Sequence, residues 1–193
     1  MKKPPPALCS RLLENSEDVF SGTLPRLEDV ALAVGVSRAT LYYYFAGHDD
    51  LRAFLIAEHI EGGAAAIAAA DTPGRPDDRL RQVLAAMVRY LGERPGFCTG
   101  LLGSVAASGE LGAALRLNDA VIGEPVRELL RQGIDEGQFD AADVRSASDA
   151  ILGAVLFSVI GRAFGGAPVN DEFAQSIAAQ LVAGVSARTS ASA

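Results

Sequence analysis

The chain has 193 residues, 49% hydrophobic and 21% charged, a composition that reads as globular and core-forming rather than disordered. A formal net charge of −7 excludes a non-specific nucleic-acid coat but leaves room for a small basic face. No run of 18 or more apolar residues is free of charge, so no membrane span is expected.

The first residues, MKKPPPALCS, carry two lysines with no apolar stretch behind them. They make a poor signal peptide, and a cytoplasmic location is expected. Cys9 and Cys98 are isolated from each other in sequence. Two reduced thiols suit that compartment better than a lone disulfide.

Apolar residues recur at three- and four-residue spacing along almost the whole chain, with Gly and Pro as punctuation and no alternating strand pattern. The fold class is therefore all-α. Nine helices are expected, near 7–20, 25–33, 37–44, 48–70, 76–93, 96–107, 110–136, 141–164 and 170–187. The early helices are short and the later ones long, and DTPGRP at 71–76 breaks the chain cleanly. This divides it into a compact N-terminal unit, 1–47, and a larger helical body, 48–193, with helix 48–70 linking the two. The tail 189–193 reads as frayed.

Within the N-terminal unit, Leu27, Val30, Ala31 and Val34 follow the spacing of a helix with one buried face. Pro25 suits its start, Gly35 its left-handed end, and Ser37 the N-cap of the next helix. A helix, a tight glycine turn and a capped second helix form a helix-turn-helix. On that second helix Leu41 and Phe45 share one face. At about 100° per residue, Tyr43 then points away from them, Tyr42 and Tyr44 flank it, and Ala39 and Thr40 lie outward beside Tyr43. Arg38 and Ser37 stand at the N-terminal end. Two readings fit this pattern: three aromatics knitting a small core, or a surface of small residues and hydroxyls suited to a DNA major groove. Tyr43 favours the second, since a core has little use for an aromatic on its far side.

The stretch LEDVALAVGVSRATLYYYFAGHDDL resembles the DNA-binding signature of tetracycline-repressor-like (TetR family) transcriptional regulators. The likeness is specific over 7–55 and weaker over 75–187, where long apolar helices and the stretch GIDEGQF are also similar to the family. The resemblance implies an all-α homodimer whose N-terminal unit binds a pseudo-palindromic operator in double-stranded DNA. Its body would bind a small-molecule effector that releases the DNA, most simply as a repressor. Position by position, it assigns DNA contacts to Arg38, Ala39, Thr40, Tyr42, Tyr43 and Tyr44, with Ser37 as their cap. Two residues depart from the pattern. His48 stands where a lysine is usual and brings less charge to a phosphate. Arg26 stands where Ser or Thr is usual and can restore that contact. Residues 1–60 hold six Lys or Arg against eight Asp or Glu, so Lys2, Lys3, Arg11, Arg26 and Arg38 form a basic surface only if Glu28, Asp29, Asp49 and Asp50 face elsewhere.

No nucleophile elbow, P-loop or dinucleotide fingerprint is present, so no enzyme activity is expected. His48 and His59 lie eleven residues apart, roughly 16 Å along a helix, too far to share a metal. No metal and no cofactor are expected. The second functional reading is an all-helical interaction or ligand-binding module with a degenerate DNA-binding unit. For an effector, an apolar or weakly polar molecule is expected, lined by Met87, Tyr90, Phe97, Leu101, Asn118, Phe157 and Arg162. The apolar members of that set also read as plain core. Arg162 can hold an anion, cap helix carbonyls or reach to solvent.

The helix 141–164 is apolar nearly all round and carries one stripe of small residues: Ala147, Ala150, Ala154, Ser158 and Gly161. The following helix offers a companion seam through Phe173, Ile177, Leu181 and Val185. Two such helices from each of two chains would build a four-helix dimer interface. The alternative is that the stripe packs on a helix of its own chain.

Overall fold

The computed structural model of the chain describes residues 2–104 and 116–187. The expected break between 107 and 110, part of the stretch LLGSVAASGELG, and the tail 189–193 lie outside the described residues. Among the described residues the fold is all-α. The helices are α1 (Pro6–Glu14), α2 (Ser16–Ser21), α3 (Leu27–Ala33), α4 (Arg38–Tyr44), α5 (His48–Ala70), α6 (Pro76–Gly92), α7 (Pro95–Ser104), α8 (Glu124–Asp135), α9 (Val144–Phe164) and α10 (Asp171–Val185). A π-helical turn, Asp119–Gly123, leads into α8.

The single first helix expected over 7–20 is instead two. At Asn15 the backbone leaves helical geometry, with φ −100° and ψ 7°. The cause is local: the Asn15 amide donates to Arg11 O at 2.9 Å, and Ser16 Oγ donates to Leu13 O at 2.7 Å. Short polar side chains that bond the preceding turn compete with the helical ladder and bend it.

The chain divides into two compact units, Met1–Glu61 with Arg94–Leu117, and Gly62–Glu93 with Asn118–Ala193. In the first, Leu12, Val19, Val30, Leu41, Phe45, Leu51 and Leu55 are all fully buried. Here α7 packs on α2. The Glu17 carboxylate accepts from the backbone N–H groups of Gly96 and Phe97, the latter at 3.2 Å, so α2 supplies the anion that the N-terminus of α7 lacks in its own sequence. The Phe20 ring fills the space that a side chain at Gly100 would need. Phe20, His59 and Phe97 form a triangle of rings with centroids 4.9 to 6.0 Å apart. His59 Nε2 donates to Ser16 Oγ at 2.9 Å, because the single Ser16 proton is already given to Leu13 O. Burial, with Arg94 adding repulsion, pushes the His59 pKa down to about 4. Cys9 and Cys98 are buried free thiols, and burial pushes Cys98 up to about 12.

In the second unit, α6 is the central helix, with Leu80, Val83, Leu84, Ala85 and Val88 buried against α8, α9 and α10. Two close approaches rest on glycine. Tyr90 lies over Gly62 and Gly63 of α5, and the Phe139 ring lies over Gly133 of α8. The second contact follows from the sharp end of α8: Gly137 is left-handed (φ 69°), and Gln138 N–H returns to Gly133 O at 2.7 Å. Phe139 then pairs with Ser186 after α10, flanked by Asp140 N–H to Val185 O at 2.9 Å. Arg127 is a buried cation whose charge is met by Asp119 at 2.8 Å and Glu124 at 2.7 Å, which binds the π-helical turn to α8.

Among the described residues, two helices are long and apolar enough by composition to cross a membrane, α5 with mean hydropathy 1.3 and α9 with 1.5. Each carries a few ionisable residues, so neither is a charge-free apolar run. α5 begins His48-Asp49-Asp50-Leu51-Arg52, and α9 carries Arg145, Asp149 and Arg162.

Candidate DNA-binding surface

The bend between α3 and α4 is built by backbone geometry. Gly35 takes φ 69°, Gly35 N–H donates to Leu32 O at 3.2 Å, and Val36 N–H donates to Ala31 O at 2.9 Å. This pair of reverse bonds ends α3 and requires a residue that tolerates the left-handed region. Ser37 then caps α4, its Oγ accepting from Thr40 N–H at 3.1 Å. The Ser37 and Thr40 hydroxyls also share a bond of 2.8 Å.

Leu41 and Phe45 are fully buried, and Phe45 meets Phe54 of α5 at 5.3 Å between ring centroids. Phe45 itself follows α4 in extended geometry, so its burial depends on the chain turning away after Tyr44. Tyr43 is 60% exposed and Tyr42 43%, while Tyr44 is half-buried and packs edge-on against Tyr43 at 5.0 Å. Arg38 and Ala39 are exposed and Thr40 is half-buried. The outward face of α4 thus holds Arg38, Ala39, Thr40, Tyr42 and Tyr43 on an inner edge fixed by two core residues.

Several of these groups have partners within the chain. Lys2 Nζ donates to Tyr43 Oη at 2.7 Å and lies 4.4 Å from the ring centre. Lys3 pairs with Glu58 at 2.7 Å. Glu28 Oε1 of α3 accepts from Tyr42 Oη at 3.1 Å and forms an ion pair with Arg38 Nε at 3.0 Å. A hydrogen bond to its own backbone and its neighbours Tyr42, Arg38 and Arg26 hold its carboxyl below the usual carboxylate range. Glu28 therefore does not face away from the tyrosines, as an open basic surface would need. His48 Nε2 bonds Leu24 O at 2.9 Å. A carbonyl only accepts, so that nitrogen carries the proton and ties α5 to the segment before Pro25. Arg26 is exposed at the start of α3, where its backbone serves as N-cap without a side-chain bond.

A profile of the tetracyclin repressor-like C-terminal domain matches residues 73–185, more than half of the chain. The chain belongs to the TetR family. Its fold agrees with solved transcriptional regulators across nearly its whole length. The TetR family transcriptional regulator PfmR from Thermus thermophilus is 24% identical, with a TM-score of 0.74 and coverage of 90% of this chain and 97% of that one. The fatty acid degradation regulator FadR from Bacillus halodurans is 17% identical, with a TM-score of 0.78 and coverage of 92% and 99%. FadR from Bacillus subtilis, solved in complex with stearoyl-CoA, is 16% identical, with a TM-score of 0.75 and coverage of 92% and 99%. No curated protein matches the chain.

The residues expected to line an effector site are divided between the two units of this TetR-family chain. Phe97 is buried in the ring triangle of the first unit, and Leu101 is half-buried on the same helix. In the second unit, Met87 is buried, Tyr90 covers Gly62 and Gly63 near Ile122, and Asn118 stands before the π-helical turn. Phe157 is 63% exposed on α9. Arg162 donates to Pro168 O at 2.9 Å and stacks on Phe173 at 4.4 Å, so it closes the α9 to α10 turn. Of the expected dimer stripe, Ala150 and Gly161 are exposed and Ala147, Ala154 and Ser158 half-buried, as are Phe173, Ile177 and Leu181 on α10. The residues that sequence patterns missed are Glu28, Glu17 and the Gly62-Gly63 pair. Only the glycine pair leaves a local signal, since two glycines inside a long helix cost about 2 kcal/mol relative to alanine and call for a packing reason.

Proposed function

We propose that the protein is a ligand-responsive transcriptional repressor that acts in the cytoplasm by binding rather than by catalysis. A homodimer would engage a pseudo-palindromic operator through the N-terminal unit, 1–47. The body, 48–193, would carry the effector site and the dimer interface. Arg26, Ser37, Arg38, Ala39, Thr40, Tyr42, Tyr43, Tyr44 and His48 form the reading head. Ala147, Ala150, Ala154, Ser158, Gly161, Phe173, Ile177 and Leu181 form the interface.

The observation that carries this reading is the exposure of Ala39 and Tyr43 on a capped α4 whose Leu41, with Phe45 just beyond the helix, is fully buried. A short helix held rigid from behind, with small and hydroxyl-bearing residues in front, is what close approach to a major groove requires. The effector is a small, largely apolar molecule held by residues of the second unit, Met87, Tyr90 and Asn118 first among them. The stearoyl-CoA bound to one structural relative supports an acyl compound as the first to try.

Selection of duplexes from a random library by the purified protein tests the DNA reading. An enriched, symmetric sequence with a footprint of two half-sites about one helical turn apart is expected. No enrichment over a random duplex would overturn it. Thermal shift against fatty acids, acyl-CoAs and polar controls tests the effector, since a ligand at 100 times its Kd stabilises by about 2.7 kcal/mol.

A further inference from the structure

Arg38 is the one arginine on α4, and 68% of its side chain is exposed. An exposed guanidinium on a flexible stem is attracted to any phosphate and so favours non-specific binding. Here its freedom is removed. Nε lies 3.0 Å from Glu28 Oε1 in an ion pair, and the guanidinium carbon lies 5.1 Å from the centre of the Tyr42 ring. The same oxygen takes the Tyr42 hydroxyl proton at 3.1 Å. Tyr42 has one proton to give, so while it is bound to Glu28 it cannot donate to a phosphate. One carboxylate on α3 thus occupies two groups of α4 that would otherwise seek the DNA backbone. The Nη1 and Nη2 groups of Arg38 have no partner among the described residues and remain available as a pair.

We propose that Glu28 is a specificity-determining positioning residue. It neutralises the backbone-seeking character of Arg38 and Tyr42 and holds the Arg38 Nη pair in one orientation for a base edge. The inference rests on the DNA-binding reading above. Its physical content is a trade: Glu28 lowers affinity for random DNA and raises the ratio of specific to random binding. Bidentate contact with a guanine edge needs such a fixed fork, whereas phosphate contact does not.

The experiment uses a duplex enriched by the wild-type protein from a random library and a random duplex of equal length, with binding followed by anisotropy over a salt series. For Glu28→Ala, random-duplex affinity rises, and its salt slope steepens by about one phosphate's worth, near 0.9. The specific-to-random ratio falls at least tenfold. Glu28→Gln keeps an acceptor for Tyr42 Oη without the charge that attracts Arg38, so its ratio lies between those of wild type and Glu28→Ala. In an Arg38→Ala background, Glu28→Ala lowers the ratio by much less, because only the part that runs through Tyr42 remains. An unchanged ratio in both Glu28 variants, with the wild type still enriching a sequence, overturns the Glu28 assignment alone. An equal fall in the Arg38→Ala background overturns it as well. Failure of the wild type to enrich any sequence overturns the parent reading and this inference together.

Discussion

Arg11 donates through Nη1 to the carbonyl oxygen of Val34 at 2.7 Å, which ties α1 to the residue where α3 ends. A long cation near the proposed DNA face reads in sequence as a phosphate contact. In the structure it closes the helix-turn-helix bend, whose next residue, Gly35, is left-handed. Arg11→Ala should therefore act on stability, by about 1–2 kcal/mol, a discounted value for a charged hydrogen bond at a partly exposed site. Gly35→Ala should cost a further 1–2 kcal/mol, roughly, from forcing a Cβ into the left-handed region. Urea unfolding checks both. If Arg11→Ala instead leaves stability intact and only reduces the salt slope of DNA binding, Arg11 serves the phosphate.

The His59 imidazole makes stability depend on pH. Its pKa falls from the usual 6.5 to about 4 in the folded chain, first because of burial and then because of Arg94. The unfolded state binds the proton more readily, so stability is full above pH 6.5 and is lost as pH falls toward 4. The slope approaches about 1.4 kcal/mol per pH unit, and the whole effect is on the order of 3 kcal/mol. Asp71, Asp119 and Glu124 also have lowered pKa values, but starting from 3.8 to 4.5, so the window from pH 6.5 to 5 isolates the imidazole. The chain has only two histidines, and a His48→Gln background leaves His59 alone. Urea unfolding at pH 7.5, 6 and 5 should show the loss, and adding His59→Gln should flatten it. A flat profile in the His48→Gln background would mean that His59 is solvated.

Gly100 tests how α7 is held in the first unit. Alanine in a helix is worth about 1 kcal/mol over glycine, so at an open site the substitution stabilises. At Gly100 the new methyl meets the ring of Phe20, itself buried beside His59 and Phe97. Overpacking there should outweigh propensity and destabilise by about 1–3 kcal/mol. Gly184→Ala is the control, because a Cβ there meets nothing within 4 Å. Opposite signs for the two variants in thermal unfolding are expected. Stabilisation by Gly100→Ala would show that α7 has room to shift away from α2.

These three sites mark what local pattern could and could not reveal. Gly35, the Ser37 cap and the burial of Leu41 and Phe45 with Tyr43 outside were legible, because each depends on residues within one or two turns. The break at Asn15 was legible in principle, since Asn-Ser is a poor helix interior, but apolar spacing on either side masked it. The contacts of Arg11, His48, Glu17 and Glu28 were not legible. Each joins residues 10 to 80 apart, as in Glu28 with Arg38 or Glu17 with Phe97, and a charged side chain carries no periodic signal of its partner. The same limit hid the ring cluster that Phe97 completes with Phe20 and His59.

The proposed dimer interface gives the last prediction. On α9, Ala150, Phe157, Gly161 and Phe164 all point to solvent in the single chain, with Phe157 63% and Phe164 78% exposed. At about 100° per residue these four lie within roughly 60° of one another, so the small stripe and two large rings form one face. Large exposed aromatics in line with small residues indicate a surface that another helix covers. The glycines sharpen the test. A Cβ at Gly153 or Gly161 meets nothing within 4 Å, so the chain's own packing does not require glycine at either place. Gly161→Leu should therefore leave a lone chain intact or slightly stabilised, by a few tenths to about 1 kcal/mol from helix propensity. Across a close helix pair it would force the two backbones apart and weaken association. Ala154→Arg places a charge on the same face and should do so more completely. Light scattering is expected to give a dimer for the wild type, and a weakened dimer for Gly161→Leu. A folded monomer is expected for Ala154→Arg, and binding to a two-half-site duplex should fall in step. A dimer of unchanged affinity in both variants would move the interface off α9.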